Sequence, residues 1–189
     1  LFAGGANFPD DLPWKEGSKK WWEDIYILKH KNDDGFYWLD KIFKLPEALA
    51  YGVSVSTDDG VVIIGGCNAD SCSNRTYLIS WIKEEQEINI IDYPSLPVPL
   101  ANMTGCIVND AIYIAGGQKN MSSPTATKHF FRLDLKNINS DSFDWEILPS
   151  WHGEARSFAV SANQSNGVDN CFYMFSGRNY SPDDDVEIL

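Results

Sequence analysis

The sequence predicts an all-β fold made of repeated antiparallel units. Four apolar runs end in Gly-Gly or Ser-Gly, and their last glycines are 61, 51 and 60 residues apart. No stretch shows the roughly 3.6-residue hydrophobic period of an amphipathic helix, whereas short apolar and alternating runs are frequent. The four runs are LFAGG (1–5), VVIIGG (61–66), AIYIAGG (111–117) and CFYMFSG (171–177).

Each glycine run is expected to be the second strand, B, of a four-stranded unit. A strand A precedes the three later runs, and turn residues such as those at 58–60 separate the two strands of a hairpin. A loop then leads to an alternating strand C, followed in three units by a strand D that reaches a Leu-Pro, because proline cannot donate to a ladder. The expected strands are A at 50–56, 102–109 and 155–162; C at 24–28, 75–81, 128–134 and 185–189; D at 37–46, 87–97 and 143–153.

Four-stranded antiparallel units at a period of about 50 residues are typical of the blades of a kelch-type β-propeller. The chain at 1–189 is therefore predicted to be a partial kelch propeller. It divides into a partial blade B-C-D at 1–46, blades at 47–97 and 98–153, and a partial blade A-B-C at 154–189. Because about three and a half blades are fewer than the roughly four to eight that close a propeller, we expect the remaining blades to come from the rest of the chain or from a partner chain.

Charge and composition exclude several classes of partner. The formal net charge of −12 argues against nucleic acid and against an anionic membrane surface. No apolar run approaches the roughly 18 residues of a membrane span, and no basic leader region or signal peptide is expected in this chain. Cys67 and Cys72 are close enough in one loop to form a disulfide if the protein is exported, whereas Cys106 and Cys171 are interpreted as buried thiols. No cysteine or histidine spacing suits zinc, so no metal site is expected.

Three stretches of the chain resemble the kelch-type sialic acid mutarotases (N-acetylneuraminate epimerases). They are AGGANFPDDLPWKEGSKKWWEDIYIL (3–28), ALAYGVSVSTDDGVVIIGGCNAD (48–70) and CFYMFSGRNYSPDDD (171–185). The Gly-Gly repeats are common to all kelch proteins, but ANFP followed by PW, Gly17, Lys20 and DIYIL is more specific. The order of the blades resembles a cyclically permuted branch of the family. Blades like 1–93 are C-terminal in the ordinary branch, whereas here they run straight into blades like 99–189.

The resemblance implies a six-bladed propeller that interconverts the α and β anomers of N-acetylneuraminate, an acidic monosaccharide, without a cofactor. It also suggests a bacterial periplasmic or secreted location. Opening a hemiketal ring needs a base and an acid, and the sugar carboxylate calls for a fixed cation. In the family these are a Glu and an Arg in an Asn-Gly-Glu…Leu-Arg-Thr segment. Residues 1–189 contain no match to that segment, so the catalytic residues are unknown.

Five residues are candidate substrate-binding residues on the face where the B–C and D–A loops emerge. Asn7 and Phe8 match ANFP, and Lys20 matches the family pattern; the alternatives are a loop cap, loop packing and a solvated lysine. Arg178 and Asn179 occupy the equivalent position of the last blade, where an arginine can also simply tie adjacent blades together. The expected function is a mutarotase of an acidic sugar; the alternative is a non-catalytic kelch module that binds a glycan or protein through the same loops.

Other residues on this face have a structural interpretation. In WHGEAR (151–156), Arg156 opens a strand A where kelch repeats commonly carry arginine, and this favours structure over catalysis. Trp14, Trp21 and Trp22 could stack on a sugar or fill space between blades. Trp38 and Trp145, in strands D, are expected to fill that space.

Overall fold

The computed structural model describes residues 1–31, 35–122 and 125–179. The chain forms two compact units. The first comprises Leu1–Ala50 with Asn68–Asp70, and the second comprises Tyr51–Cys67 with the described residues from Ser71 onward. The expected strand C at 185–189 lies outside the described residues.

The first unit is built from short strands. β1, β4 and β7 form an antiparallel sheet in that order, which is the expected B-C-D arrangement. Two hairpins accompany it: β2 pairs with β3, and β5 pairs with β6. The strands are β1 (Phe2–Ala3), β2 (Ala6–Asn7), β3 (Lys20–Trp21), β4 (Asp24–Tyr26), β5 (Leu28–Lys31), β6 (Gly35–Trp38) and β7 (Phe43–Lys44).

The expected strand D at 37–46 is wrong as a single strand. Its first part belongs to β6, which pairs with β5, and only Phe43–Lys44 adds to the sheet as β7. Phe43 is buried, whereas Trp38 is 50% exposed and contacts Phe2 edge to face at 5.1 Å. The aromatic residues of 36–38 favour a strand but find cross-strand partners in a local hairpin. Trp38 therefore lies on the surface of the first unit, on the β5–β6 hairpin.

The second unit contains two complete four-stranded sheets and a hairpin. Each sheet is an antiparallel meander: β8 to β11 in one and β12 to β15 in the other, in chain order. β16 pairs with β17, and β12 contacts both β8 and β16. The strands are β8 (Val53–Thr57), β9 (Gly60–Ile64), β10 (Thr76–Ile82), β11 (Glu87–Tyr93), β12 (Thr104–Val108), β13 (Ala111–Ala115), β14 (Phe130–Asp134), β15 (Trp145–Ile147), β16 (Val160–Ser165) and β17 (Asn170–Phe175).

These sheets confirm the predicted all-β fold with four-stranded antiparallel sheets of the propeller-blade type. The helices among the described residues are short 3₁₀ turns at Pro13–Lys15 and Leu135–Asn137. Within the described ranges, the structure contains no helix with the length and apolar character needed to cross a membrane.

The core of the second unit lies between its two complete sheets. Along β8 the buried residues Val53 and Val55 alternate with exposed serines, the two-residue period expected when one face packs inward. Trp145 of β15 is buried in the same cluster, as expected, and its indole N–H donates to the Pro94 carbonyl at 2.8 Å. The other members include Val62, Ile64, Leu78, Ile112, Ile114, Phe131 and Leu133.

The glycine pairs have a common structural role. The first glycine donates its N–H to the start of strand C, as Gly65 does to Arg75 O at 2.8 Å. The second donates to a carbonyl lying four residues before the next strand A, as Gly66 does to Leu100 O at 2.8 Å. Gly116–Gly117 repeats the pattern with His129 and Arg156, and Gly4–Gly5 repeats it with Asp24 and Leu49.

Candidate functional site

The β2–β3 pair brings Asn7 and Lys20 together. The two residues lie opposite each other in the ladder, and both contact Trp22. The Trp22 indole N–H donates to Asn7 Oδ1 at 2.8 Å, and Lys20 Nζ lies 3.9 Å from the centre of the Trp22 ring. Phe8, the next residue after β2, is half-buried. We call Asn7, Lys20 and Trp22 the tryptophan cluster.

The chemistry of the tryptophan cluster is set by the indole. Its N–H is only a donor, so it must face the amide oxygen of Asn7 and leave the amide NH₂ of Asn7 pointing elsewhere. The Lys20 ammonium is held over the ring by a cation–π interaction. The cluster therefore presents an amide donor and a cation on neighbouring strands. A carboxylate or hydroxyl group of a ligand is the complementary partner.

The loop that precedes β3 is held tightly by its backbone. Gly17 N–H donates to the Leu12 carbonyl at 3.1 Å, closing the 3₁₀ turn at Pro13–Lys15. A side chain at Gly17 would collide with the Asp11 carbonyl. Glycine is required there by the close approach of backbone, which explains its place in the motif between ANFP and Lys20.

In the second unit, Arg178 and Asn179 line an open cavity of about 540 Å³ together with Glu154, Arg156 and Ser176. The backbones of Arg178 and Ser157 pair in an isolated bridge. The Arg178 guanidinium lies 4.3 Å from the Phe158 ring, a cation–π contact that also suits its planar shape. We call this space the arginine cavity.

Two of the residues that line the arginine cavity also hold it together. Asn179 Oδ1 accepts a hydrogen bond from the Ala126 N–H at 2.9 Å, so part of this side chain has a structural task. Arg156 donates to the Ser176 carbonyl at 3.0 Å, in agreement with the structural role favoured for it. Its position in the lining nevertheless gives the cavity a second guanidinium, although the sequence favours a structural role for this arginine.

The opposite ends of the sheets in the second unit differ in charge. A second cavity, of about 530 Å³, lies at the β8–β9 and β12–β13 turns and is lined by Asp58, Asp59 and Asp110. Lys136 also lines it, and its ammonium pairs with Asp110 at 3.6 Å. An anionic ligand is repelled there and favoured in the arginine cavity. Among the described residues, no group of three or more His, Cys, Asp or Glu side chains is arranged to hold a metal ion.

The structure groups the sequence candidates into two sets, each described within its own unit. Asn7 and Lys20 share the tryptophan cluster, and Arg178 and Asn179 share the arginine cavity. The sequence predicts only that Trp22 stacks on a sugar or fills space between blades. Its hydrogen bond to Asn7 joins residues 15 positions apart, and no local pattern signals such a contact.

The known proteins that part of this chain is similar to, as reported below, share one name. No family model matches the sequence. The chain is 33% identical over 104 residues to the N-acetylneuraminate epimerase of Vibrio vulnificus, which covers 49% of this chain and 24% of the relative. The corresponding enzyme of Yersinia enterocolitica is 35% identical over 91 residues, covering 43% of this chain and 22% of the relative. That of Haemophilus influenzae is 28% identical over 104 residues, covering 53% and 23%. The chain thus spans about a quarter of the length of these curated relatives.

Proposed function

We propose that the protein containing this chain is a mutarotase that interconverts the α and β anomers of N-acetylneuraminate or a related acidic sugar. The observation that carries the proposal is the similarity of about half the chain to N-acetylneuraminate epimerases of several bacteria. Three cationic groups support an anionic ligand in a protein of net charge −12: Lys20 in the tryptophan cluster, and Arg156 and Arg178 in the arginine cavity.

In this proposal the residues of the chain bind the sugar and the proton-transfer groups lie elsewhere in the protein. Arg178 receives the carboxylate, because a guanidinium presents two parallel N–H donors to the two carboxylate oxygens. In the first unit, the tryptophan cluster is a candidate sugar-binding site in its own right, where Asn7 can donate its amide NH₂ to a hydroxyl or carbonyl oxygen and Lys20 adds positive charge beside it. Phe8 and Asn179 shape the rims of the two sites.

The test is a rate measurement on the full-length protein, because anomers also interconvert spontaneously. Freshly released α-N-acetylneuraminate is followed by NMR with and without protein, at a pH where the spontaneous reaction is slow. We expect acceleration by the wild type. We expect kcat/KM to fall by about 10- to 100-fold in Arg178→Ala, since hydrogen bonds to charged groups contribute about 1.5–3 kcal/mol. We expect a smaller loss in Asn7→Ala.

The matched control is Arg132→Ala. This arginine lies on β14, where it pairs with Glu146 at 3.1 Å and with Asp134 at 2.6 Å, and it does not line the arginine cavity. Its removal should leave the rate unchanged. Acceleration with equal rates in all variants would reject the binding roles. No acceleration, together with measurable binding of a glycan or protein, would assign the chain to a non-catalytic binding module.

The order of the repeats belongs to the same proposal. We propose that they follow the cyclically permuted order of one branch of the epimerases. Aligning the complete open reading frame with the epimerases tests this order. An unbroken match in a single order along both sequences would contradict the permutation and leave the enzymatic proposal standing.

A further inference from the structure

The loop that follows β9 brings two cysteines into register. Cys67 and Cys72 are partners in an isolated antiparallel bridge, with four residues between them in the chain. The Ser73 N–H donates to the Gly66 carbonyl at 2.8 Å, which is the hydrogen bond expected beside a non-hydrogen-bonded pair in an antiparallel ladder. Cys67 and Cys72 are therefore the adjacent non-hydrogen-bonded pair. In such pairs the Cα atoms are about 4.5 Å apart and the side chains lie close together.

This arrangement satisfies the geometric requirement of a disulfide. Disulfides join residues whose Cα atoms are roughly 4.4–6.8 Å apart. The side chains of Cys67 and Cys72 are in hydrogen-bond contact, and both cysteines are present as thiols. Cys67 is completely buried and Cys72 is half-buried. Oxidation would need little movement of the backbone, and Cys72 is the thiol that a reagent reaches first.

We propose that Cys67 and Cys72 are a redox-active pair that closes to an intramolecular disulfide by exchange with a low-molecular-weight disulfide. The Cys72 thiolate attacks one sulfur of the reagent, forming a mixed disulfide and releasing the first reagent thiol. The Cys67 thiolate then attacks the Cys72 sulfur, and the second reagent thiol leaves. The protein loses two protons and two electrons, and the reagent disulfide is reduced to two thiols.

Oxidation exchanges one connection between loops for another. In the reduced state Cys72 Sγ donates to the Gln118 carbonyl at 3.9 Å, a weak bond to the residue after the glycine pair at 116–117. A disulfide has no S–H, so this bond is lost while Cys72 becomes tied to Cys67. The reduced pair links the loops that follow β9 and β13, whereas the oxidised pair fixes the first of these loops internally. Burial raises the pKa of the Cys72 thiol, against a smaller opposite effect of the Cys67 hydrogen bond, so exchange quickens with rising pH.

The experiment uses the full-length protein with Cys106→Ser and Cys171→Ser, which leaves the pair intact. The protein is equilibrated in mixtures of reduced and oxidised glutathione, quenched with acid, alkylated in denaturant and mapped by peptide mass spectrometry. We expect alkylation of Cys67 and Cys72 to fall together in one transition. The ratio of reduced to oxidised Cys67–Cys72 pair should change about tenfold for every 30 mV or so of change in the reduction potential of the glutathione mixture. The oxidised fragment that contains both residues carries no alkyl group, and its mass should be lower by two hydrogens than the mass calculated for the same fragment with two free thiols.

The Cys72→Ser variant is the matched control, and circular dichroism verifies that each variant is folded. In Cys72→Ser, Cys67 should remain fully alkylatable in every glutathione mixture. The proposal is overturned if both cysteines of the intact pair stay alkylated under the most oxidising mixture. It is also overturned if Cys72 accumulates as a stable mixed disulfide with glutathione while Cys67 remains a thiol.

Discussion

At the scale of single residues, Gly65 combines two constraints. Its φ is +55°, and a Cβ there would lie 2.6 Å from the Leu100 carbonyl and 2.7 Å from the Met103 methyl group. The carbonyl belongs to backbone that is itself hydrogen-bonded to Gly66, so it cannot withdraw without breaking that bond. Glycine is needed at this position for space as well as for backbone conformation.

Gly65→Ala is therefore expected to lower the free energy of unfolding by about 3 kcal/mol, from overpacking and backbone strain together. Gly167→Ala is the matched control. Gly167 has a positive φ of +98°, but nothing lies within 4 Å of its Cβ position. Strain alone should cost about 1 kcal/mol there. Urea denaturation of the full-length variants measures both values. Equal losses would show that the Leu100 contact contributes nothing.

His129 is a residue whose environment couples stability to pH. It is half-buried and stacks on Phe131 with the ring centres 5.3 Å apart. Burial lowers its pKa, and the charge of Lys119 lowers it further. The unfolded chain, with a histidine pKa of about 6.5, therefore binds a proton more readily than the folded one. The stability that the neutral form of His129 contributes to the folded state is present above the unfolded pKa, and it is lost as the pH falls towards the folded pKa.

We expect the non-titrating variant His129→Gln to lose less stability than the wild type between about pH 7.5 and about pH 5.5. The measurement is urea denaturation of both proteins at the two pH values. Every other titrating group is common to the two proteins, so their difference isolates His129. A wild type that loses no more stability than the variant would contradict the lowered pKa.

At the scale of strands and hairpins, two tryptophans from predicted D strands have opposite surroundings. Trp145 is 7% exposed in the core of the second unit, and Trp38 is 50% exposed on the β5–β6 hairpin. We expect Trp145→Ala to cost about 4 kcal/mol, the usual range for a large buried aromatic residue. Trp38→Ala should cost about 1 kcal/mol through its edge-to-face contacts. Thermal and urea unfolding of both variants checks this, and similar losses would refute the surface position of Trp38.

The two tryptophans also show how far sequence reasoning reaches. Glycine pairs, alternation and turn residues are local signals, and they located every strand of both complete sheets, although the predicted strand D at 143–153 is observed only as Trp145–Ile147. The split of 37–46 into β6 and β7 could not be predicted this way. Two short strands and a long one share the same β propensity, and only pairing with β5 decides between them.

The residues of the candidate site likewise fall into those that a sequence motif indicates and those that only tertiary contacts reveal. The motif after β1 pointed to Asn7 and Lys20, which the structure places opposite each other. The contribution of Trp22 depends on a side-chain contact across a folded loop, and the position of Arg156 in the arginine cavity depends on how β16 and β17 pair. Such contacts are made by tertiary structure and carry no pattern in the sequence.

At the scale of the whole second unit, one core serves both complete sheets. Leu133 of β14 is fully buried in a cluster that also contains residues of β8 to β11. Leu133→Ala should cost about 3 kcal/mol. It should also accelerate hydrogen exchange of amides in β10 as much as in β14, because loss of the shared core loosens both sheets. Ile147→Ala, 69% exposed on β15, is the control and should change stability by about 0.5 kcal/mol or less. Acceleration confined to β14 would show that the sheets open independently.

The bonding of the glycine pairs has a consequence for how such chains diversify. Each pair makes the same two hydrogen bonds, one back to its own strand C and one forward to the segment before the next strand A. These two backbone hydrogen bonds are the same in each repeat, and they do not depend on which repeat comes first in the gene. A chain that is cut in a surface loop and joined at its former ends would form all of these hydrogen bonds again, as in tolerated circular permutations. Repeats built this way can be permuted cyclically by recombination while every backbone hydrogen bond between neighbouring repeats is kept.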